Sequence, residues 1–144
     1  MKNDKTDNHE QIFWEEIDRL FPDMIKAIAS LSKKSYLSIT NLRTGITWWS
    51  ERAMDYFGMK ENYTIRGMEK ANRKIHPDDV ATFKRGFKER VDGKNLDTAW
   101  EYRIQDGDSY NRFNAMARVL YDEQKQPFII IIRYDNYGIS DEVD

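Results

Sequence analysis

The sequence predicts an α+β domain: a five-stranded antiparallel sheet preceded by a helical extension. Strand-like segments lie on both sides of a helical stretch, with two short ones before it and three long ones after it. Strands grouped this way, rather than alternating with helices, point to an antiparallel sheet. Within Thr98–Gln105, Trp100, Tyr102 and Ile104 alternate with Glu101 and Arg103, the period of a strand with one buried face. Asp106-Gly107 and the run Asp122 to Gln126 then supply the tight turns that fold the last three strands into a meander.

The elements follow in chain order. Residues 1–8 are polar and read as a disordered lead-in. Residues 9–34 form the helical extension, in which Phe13, Ile17, Leu20, Met24, Ile28 and Leu31 recur at three- and four-residue steps. Pro22 interrupts that stripe, so a kink or two helices are expected. Tyr36–Thr40 and Ile46–Trp49 read as a hairpin across the turn residues Asn41 to Gly45. Ser50 is placed to cap a helix through Phe57, with Glu51 in its first turn and Gly58 as its stop. Residues 59–74 are mixed and basic, and are expected to be loop with short helical turns.

Ile75-His76-Pro77-Asp78-Asp79-Val80 starts the next helix. Proline suits the first helical position, and two acids suit the positive end of the dipole. Val80, Phe83, Phe87 and Val91 share one face before Asp92-Gly93 ends the helix. In Tyr110–Tyr121, Phe113, Ala115, Ala117 and Val119 face one way, and Arg112, Asn114 and Arg118 the other. Phe128–Tyr134 is the last strand. The folded domain is expected over residues 35–137, with 138–144 beginning a linker.

A chain of 144 residues, 40% apolar and 13% aromatic, can bury a core without staples. The absence of cysteine removes disulfides, thiol nucleophiles and thiolate metal sites. It suits a reducing cytosol, and a cytoplasmic location is the expectation. No apolar run approaches the roughly 20 residues of a membrane span, and Met1 to Glu10 is too polar for a secretory signal. The net charge of −2 is unevenly spread. Residues 60–94 hold ten Lys/Arg against six Asp/Glu, and residues 95–144 hold five against ten. That is not the dominant basic face of a nucleic-acid binder.

His76-Pro77-Asp78-Asp79, Glu101-x-Arg103, Asp106-Gly107 and Tyr121-Asp122-Glu123 before Pro127 occur together and in that order. The pattern, over about residues 35–137, resembles the PAS domains of bacterial sensors whose helix begins His-Pro-Asp-Asp. The resemblance implies a five-stranded antiparallel sheet with helices on one face and a small cavity between them. It also implies a helical extension for dimerisation or signal transfer. A covalently linked output domain is implied too, most often a diguanylate cyclase or a histidine kinase, which would make this chain the N-terminal sensory piece of a longer protein. Two departures stand out. The family's Asp-Ile-Thr after the last strand is here Asp135-Asn136-Tyr137, and a frequent last-strand glycine is replaced within Ile129 to Ile132, where bulk shrinks the cavity.

Ile39, Tyr56, Phe57, Phe87, Tyr102, Phe113, Ala115, Ala117, Ile130 and Ile132 share inward parity and are the expected lining of a small apolar cavity, with no cofactor assigned to it. His76, Asp78 and Asp79 suggest a metal or acid–base cluster, but adjacent acids point to different sides of a helix, and the other histidine is the distant His9. A capped helix start is the better reading, and no metal site is expected. A haem ligand would have to lie inside the cavity, whereas His76 sits at a helix end. The flavin photoadduct of light-sensing relatives needs a cysteine, which is absent. Trp48, Trp49 and Trp100 read as core and hairpin aromatics. Lys84, Arg85, Lys88, Arg90 and Lys94 read as a solvated helix face. No phosphate-binding glycine loop or Ser/His/Asp set is present, so no catalytic residue is assigned.

Phe128 through Ile132 gives five consecutive apolar positions where a strand with one wet face would alternate. Both faces of that strand must be covered. A homodimer would do this, with Phe13, Ile17, Leu20, Met24 and Ile28 of the extension meeting the outward Ile129 and Ile131. A helix folded back on its own sheet is the alternative. The functional expectation is a non-catalytic sensory relay and dimerisation module. The competing readings are a small-molecule- or flavin-binding sensor and a small cavity enzyme using Asp or Tyr.

Overall fold

Alternation in the C-terminal third folds as the sequence suggests. The computed structural model describes residues 5–20, 27, 28, 30 and 35–139. Its elements are α1 (Lys5–Leu20), β1 (Tyr36–Asn41), β2 (Ile46–Trp49), α2 (Glu51–Phe57), β3 (Tyr63–Ile65), α3 (Gly67–Asn72), a 3-10 turn (Pro77–Asp79), α4 (Val80–Val91), β4 (Trp100–Asp106), β5 (Ser109–Tyr121) and β6 (Pro127–Ile139). The strands form one antiparallel sheet in the order β3-β2-β1-β6-β5-β4. The first and last long strands therefore meet at its centre, with Thr40 opposite Ile130 and Ile39 opposite Ile131.

Local chemistry places the helices. Ser50 accepts the amide hydrogen of Ala53 through its side chain, and Gly58 closes α2 in the left-handed region at φ 71°. In α4, Gly86 lies where a Cβ would stand 2.8 Å from Cδ1 of Trp100, so only glycine lets this helix seat on β4.

Three features differ from the sequence expectation. The sheet has six strands rather than five, because Tyr63–Ile65 pairs with β2 inside the segment expected to be loop. Three residues are too few to display a period of two. Helix α1 begins at Lys5, inside the expected lead-in, since a polar first turn carries no apolar stripe to betray it. Strand β6 runs past Tyr134 to Ile139, into the expected linker. It does so across a bulge opposite Asn111 to Phe113, where Gly138 sits at φ 87° and donates its amide hydrogen to Asn136 Oδ1 at 2.8 Å. The expected interruption at Pro22 lies outside the described residues.

Two apolar layers flank the sheet. Inside, Trp49, Phe57, Phe83, Trp100, Tyr102, Phe113, Ile130, Ile132 and Tyr134 pack beneath the helices. Outside, Phe13 and Ile17 of α1 pack on Leu37, Ile39, Ile46, Tyr63, Phe128 and Ile129. The unbroken apolar run of β6 thus serves both layers, since Ile129, Ile130 and Ile132 are all fully buried.

Candidate functional site

The inner layer is where the sequence reading expects a cavity. Nine of the ten expected lining residues lie in it: Tyr56, Phe57, Phe87, Tyr102, Phe113, Ala115, Ala117, Ile130 and Ile132. Ile39 does not. It sits opposite Ile131, on the outer face, and packs with Phe13 and Ile17. Leu37 through Asn41 are all buried, so burial gave no parity to read in β1. The inward positions of that strand are Tyr36, Ser38 and Thr40, none of which the sequence reading places in the lining. Ser38 Oγ and the Tyr134 hydroxyl are 3.1 Å apart, Thr40 and Thr47 pair at 2.9 Å, and Trp49 Nε1 donates to Thr64 Oγ1 at 2.8 Å. These bonds offset the desolvation cost of the polar groups buried there.

Aromatic rings fill most of the space between sheet and helices. Trp49 and Phe57 lie 5.2 Å apart by ring centroids, Phe57 and Tyr134 5.5 Å, and Phe83 meets Tyr102 edge-on at 5.0 Å. A recess of about 140 Å³ remains between α3 and α4, lined by Met68, Asn72, Phe83, Lys84 and Phe87. Of the expected lining residues, Phe87 alone reaches it. Around this part of the core the Tyr102 hydroxyl, Trp100 Nε1 and Asn72 Oδ1 are buried and find no hydrogen-bond partner among the described residues. Burial pushes the Tyr102 hydroxyl well above the usual phenol range, so it is a neutral donor. Tyr56 is pushed up to about 12, chiefly by desolvation, although Asn111 Nδ2 donates to its oxygen at 2.9 Å.

Arg90 departs from the solvated face expected of it. It is 2% exposed, with its guanidinium 3.9 Å from the Trp100 ring centroid and Nη1 donating to the Gly86 carbonyl at 3.1 Å. Desolvation lowers its pKa from the ordinary arginine value.

The His76–Asp79 segment forms a structural clasp. His76 Nδ1 accepts the Asp78 amide hydrogen at 3.1 Å and so caps the turn. The sequence reading gives Asp78 or Asp79 the role of stabilising the helix start and nothing more, yet the Asp79 side chain makes no cap bond. Instead Oδ2 accepts from Arg103 N at 2.9 Å and Nε at 2.8 Å, and Oδ1 accepts from Nη2 at 3.0 Å. The Arg103 guanidinium holds the Asp79 carboxyl below the usual carboxylate range. His76 N donates to the Arg103 carbonyl and Gln105 N to the Lys74 carbonyl, so residues 74–79 occupy the open edge of β4. Among the described residues no group of three or more His, Cys, Asp or Glu could hold a metal ion.

On the outer face, five of the residues expected at a dimer contact, Phe13, Ile17, Ile28, Ile129 and Ile131, gather within one chain. The side chain of Leu20 and the whole of Met24 lie outside the described residues. The stripe of α1 is therefore covered by its own sheet at Phe13 and Ile17, the alternative that needs no second copy. Arg43 fastens this cover. It pairs with Asp122 of the β5–β6 turn, lies 3.7 Å from Glu16 of α1, and stacks 4.3 Å from the Phe128 ring centroid. No helix among the described residues is long and apolar enough to cross a membrane.

Solved structures share the fold of this central antiparallel sheet and its packed helices. A sensory box histidine kinase/response regulator from Burkholderia thailandensis superposes with a TM-score of 0.60 at 16% identity, over 78% of this chain and 84% of that one. The N-terminal domain of a diguanylate cyclase with PAS/PAC sensor from Marinobacter aquaeolei gives 0.58 at 14% identity, over 73% and 96%. A PAS domain from Colwellia psychrerythraea gives 0.50 at 16% identity, over 81% and 98%. No curated protein matches the sequence. The family model described as the PAS fold matches residues 46–132, and the chain belongs to that family.

Proposed function

We propose that this PAS domain is a non-catalytic relay that works as a homodimer and passes its signal to a covalently linked output domain, with a diguanylate cyclase as the leading choice. The observation that carries the reading is the division of labour between the two faces. The inner layer is packed with rings, while the outer apolar face is covered by one helix fastened through Arg43. A helix held by a few side chains over an apolar surface is a movable cover, and movement of such a cover is a way to transmit a signal. Ile12 stays 44% exposed on α1 and offers an apolar side chain that a second copy would meet.

Sedimentation of residues 1–144 and of Ile12→Glu tests the dimer without stripping the sheet. A dimer at tens of micromolar that Ile12→Glu dissociates supports the proposal. A monomeric full chain, or a dimer indifferent to that change, refutes it.

The second reading is a small-molecule or flavin sensor. It is favoured by the unpartnered Asn72 Oδ1 at the recess, since a ligand with a matching donor would satisfy it. Visible absorbance of the purified protein, or a native mass above that of the bare chain, would establish it.

A further inference from the structure

The junction between α3 and α4 is held by a hydrogen bond that only one protonation state of a histidine can make. His76 Nδ1 accepts the Asp78 amide hydrogen at 3.1 Å, so in this arrangement Nδ1 carries no proton. Oδ2 of the Asp78 side chain lies 4.0 Å from the same nitrogen. The ring is fixed on Tyr110 of β5 with centroids 4.6 Å apart, yet its side chain stays 23% exposed, so protons reach it. Asp79 on the same turn, which also interacts electrostatically with His76, is joined to Arg103 of β4 by three hydrogen bonds. The Asp78 carboxylate, 79% exposed, is the partner the proposal gives to an imidazolium.

We propose that His76 is a proton-operated catch on the start of α4. Neutral, it caps the turn by accepting the Asp78 amide hydrogen. Protonated, Nδ1 donates to the Asp78 carboxylate, the amide is released, and the first turn loosens. Imidazole is the side chain whose ordinary titration spans about pH 5 to 8. The Asp79–Arg103 clasp keeps residues 74–79 on the β4 edge in both states, so the change is local rather than an unfolding. It reaches the inner layer through the same helix, since Val80 and Phe83 follow within its first turn and pack there.

NMR of the intact chain between pH 8 and pH 5 tests the catch. The ring protons of His76 and the amide of Asp78 should titrate with one midpoint. Exchange of that amide, corrected for its intrinsic pH dependence, should speed up about fivefold on acidification, as expected for the loss of one net hydrogen bond. His76→Asn keeps an acceptor without a titrating ring and should abolish the response. Asp78→Asn keeps the amide, removes the imidazolium's partner, and should move the ring's midpoint to lower pH. A ring that titrates while the Asp78 amide stays still overturns the proposal. So does a ring that remains neutral down to pH 5, or a His76→Asn protein with the wild-type acid response.

Discussion

Asp79 receives both the side chain and the backbone of Arg103: one carboxylate oxygen takes Nε and the main-chain N–H, and the other takes Nη2. A strand's edge amide is thereby paired by a carboxylate, as a neighbouring strand's carbonyl would pair it. The His-Pro-Asp-Asp and Glu-x-Arg motifs, 25 residues apart from their first members, are two halves of one fastening.

Asp79→Asn should lower stability by about 1–3 kcal/mol, because it removes a charged partner from a largely buried arginine. The pH dependence follows from the sign of the shift. Asp79 has a lowered folded-state pKa, so its contribution is complete above the ordinary carboxylate pKa of about 3.9 and fades as pH falls through the lower folded value. Urea unfolding of wild type should therefore weaken below about pH 4. The Asp79→Asn curve should be flatter there. Equal acid slopes in the two proteins would refute this role.

Gly86→Ala should destabilise the domain by about 1–3 kcal/mol, although alanine is the better helix former by about 1 kcal/mol. The added Cβ would meet Trp100 at 2.8 Å and 2.9 Å, in a ring already pressed between Gly86 and the Arg90 guanidinium. Equilibrium unfolding with tryptophan fluorescence checks it. A neutral or stabilising effect would mean that the indole can shift.

Phe13→Ala and Ile17→Ala should each cost about 2–5 kcal/mol, as fully buried side chains that leave cavities against Ile129 and Phe128. Hydrogen exchange should show α1 amides losing protection before those of β5 and β6. Uniform loss across the sheet would instead mean that α1 and the sheet unfold as one unit. Arg43→Ala should loosen the same helix by a smaller amount, since its pair with Glu16 is partly solvated.

The sequence by itself determined the class of this protein. Alternation in β4 and β5, the Asp106-Gly107 turn, the Ser50 cap and the Gly58 stop are local signals, each acting within a few residues, and each holds in the structure. The continuous apolar run of β6 also stated correctly that both faces of that strand are covered. Three things were decided only in the tertiary structure. The partner of Asp79 could not be read from its own helix, because the bond closes between residues 24 apart in the chain. The face of Ile39 followed from its pairing with Ile131, since a strand buried on both sides carries no periodic label. What covers Ile129 was settled by α1 lying on its own sheet at Phe13 and Ile17. An apolar stripe records how much surface must be buried, and the hydrophobic effect, having no direction, leaves the choice of neighbour to the packing.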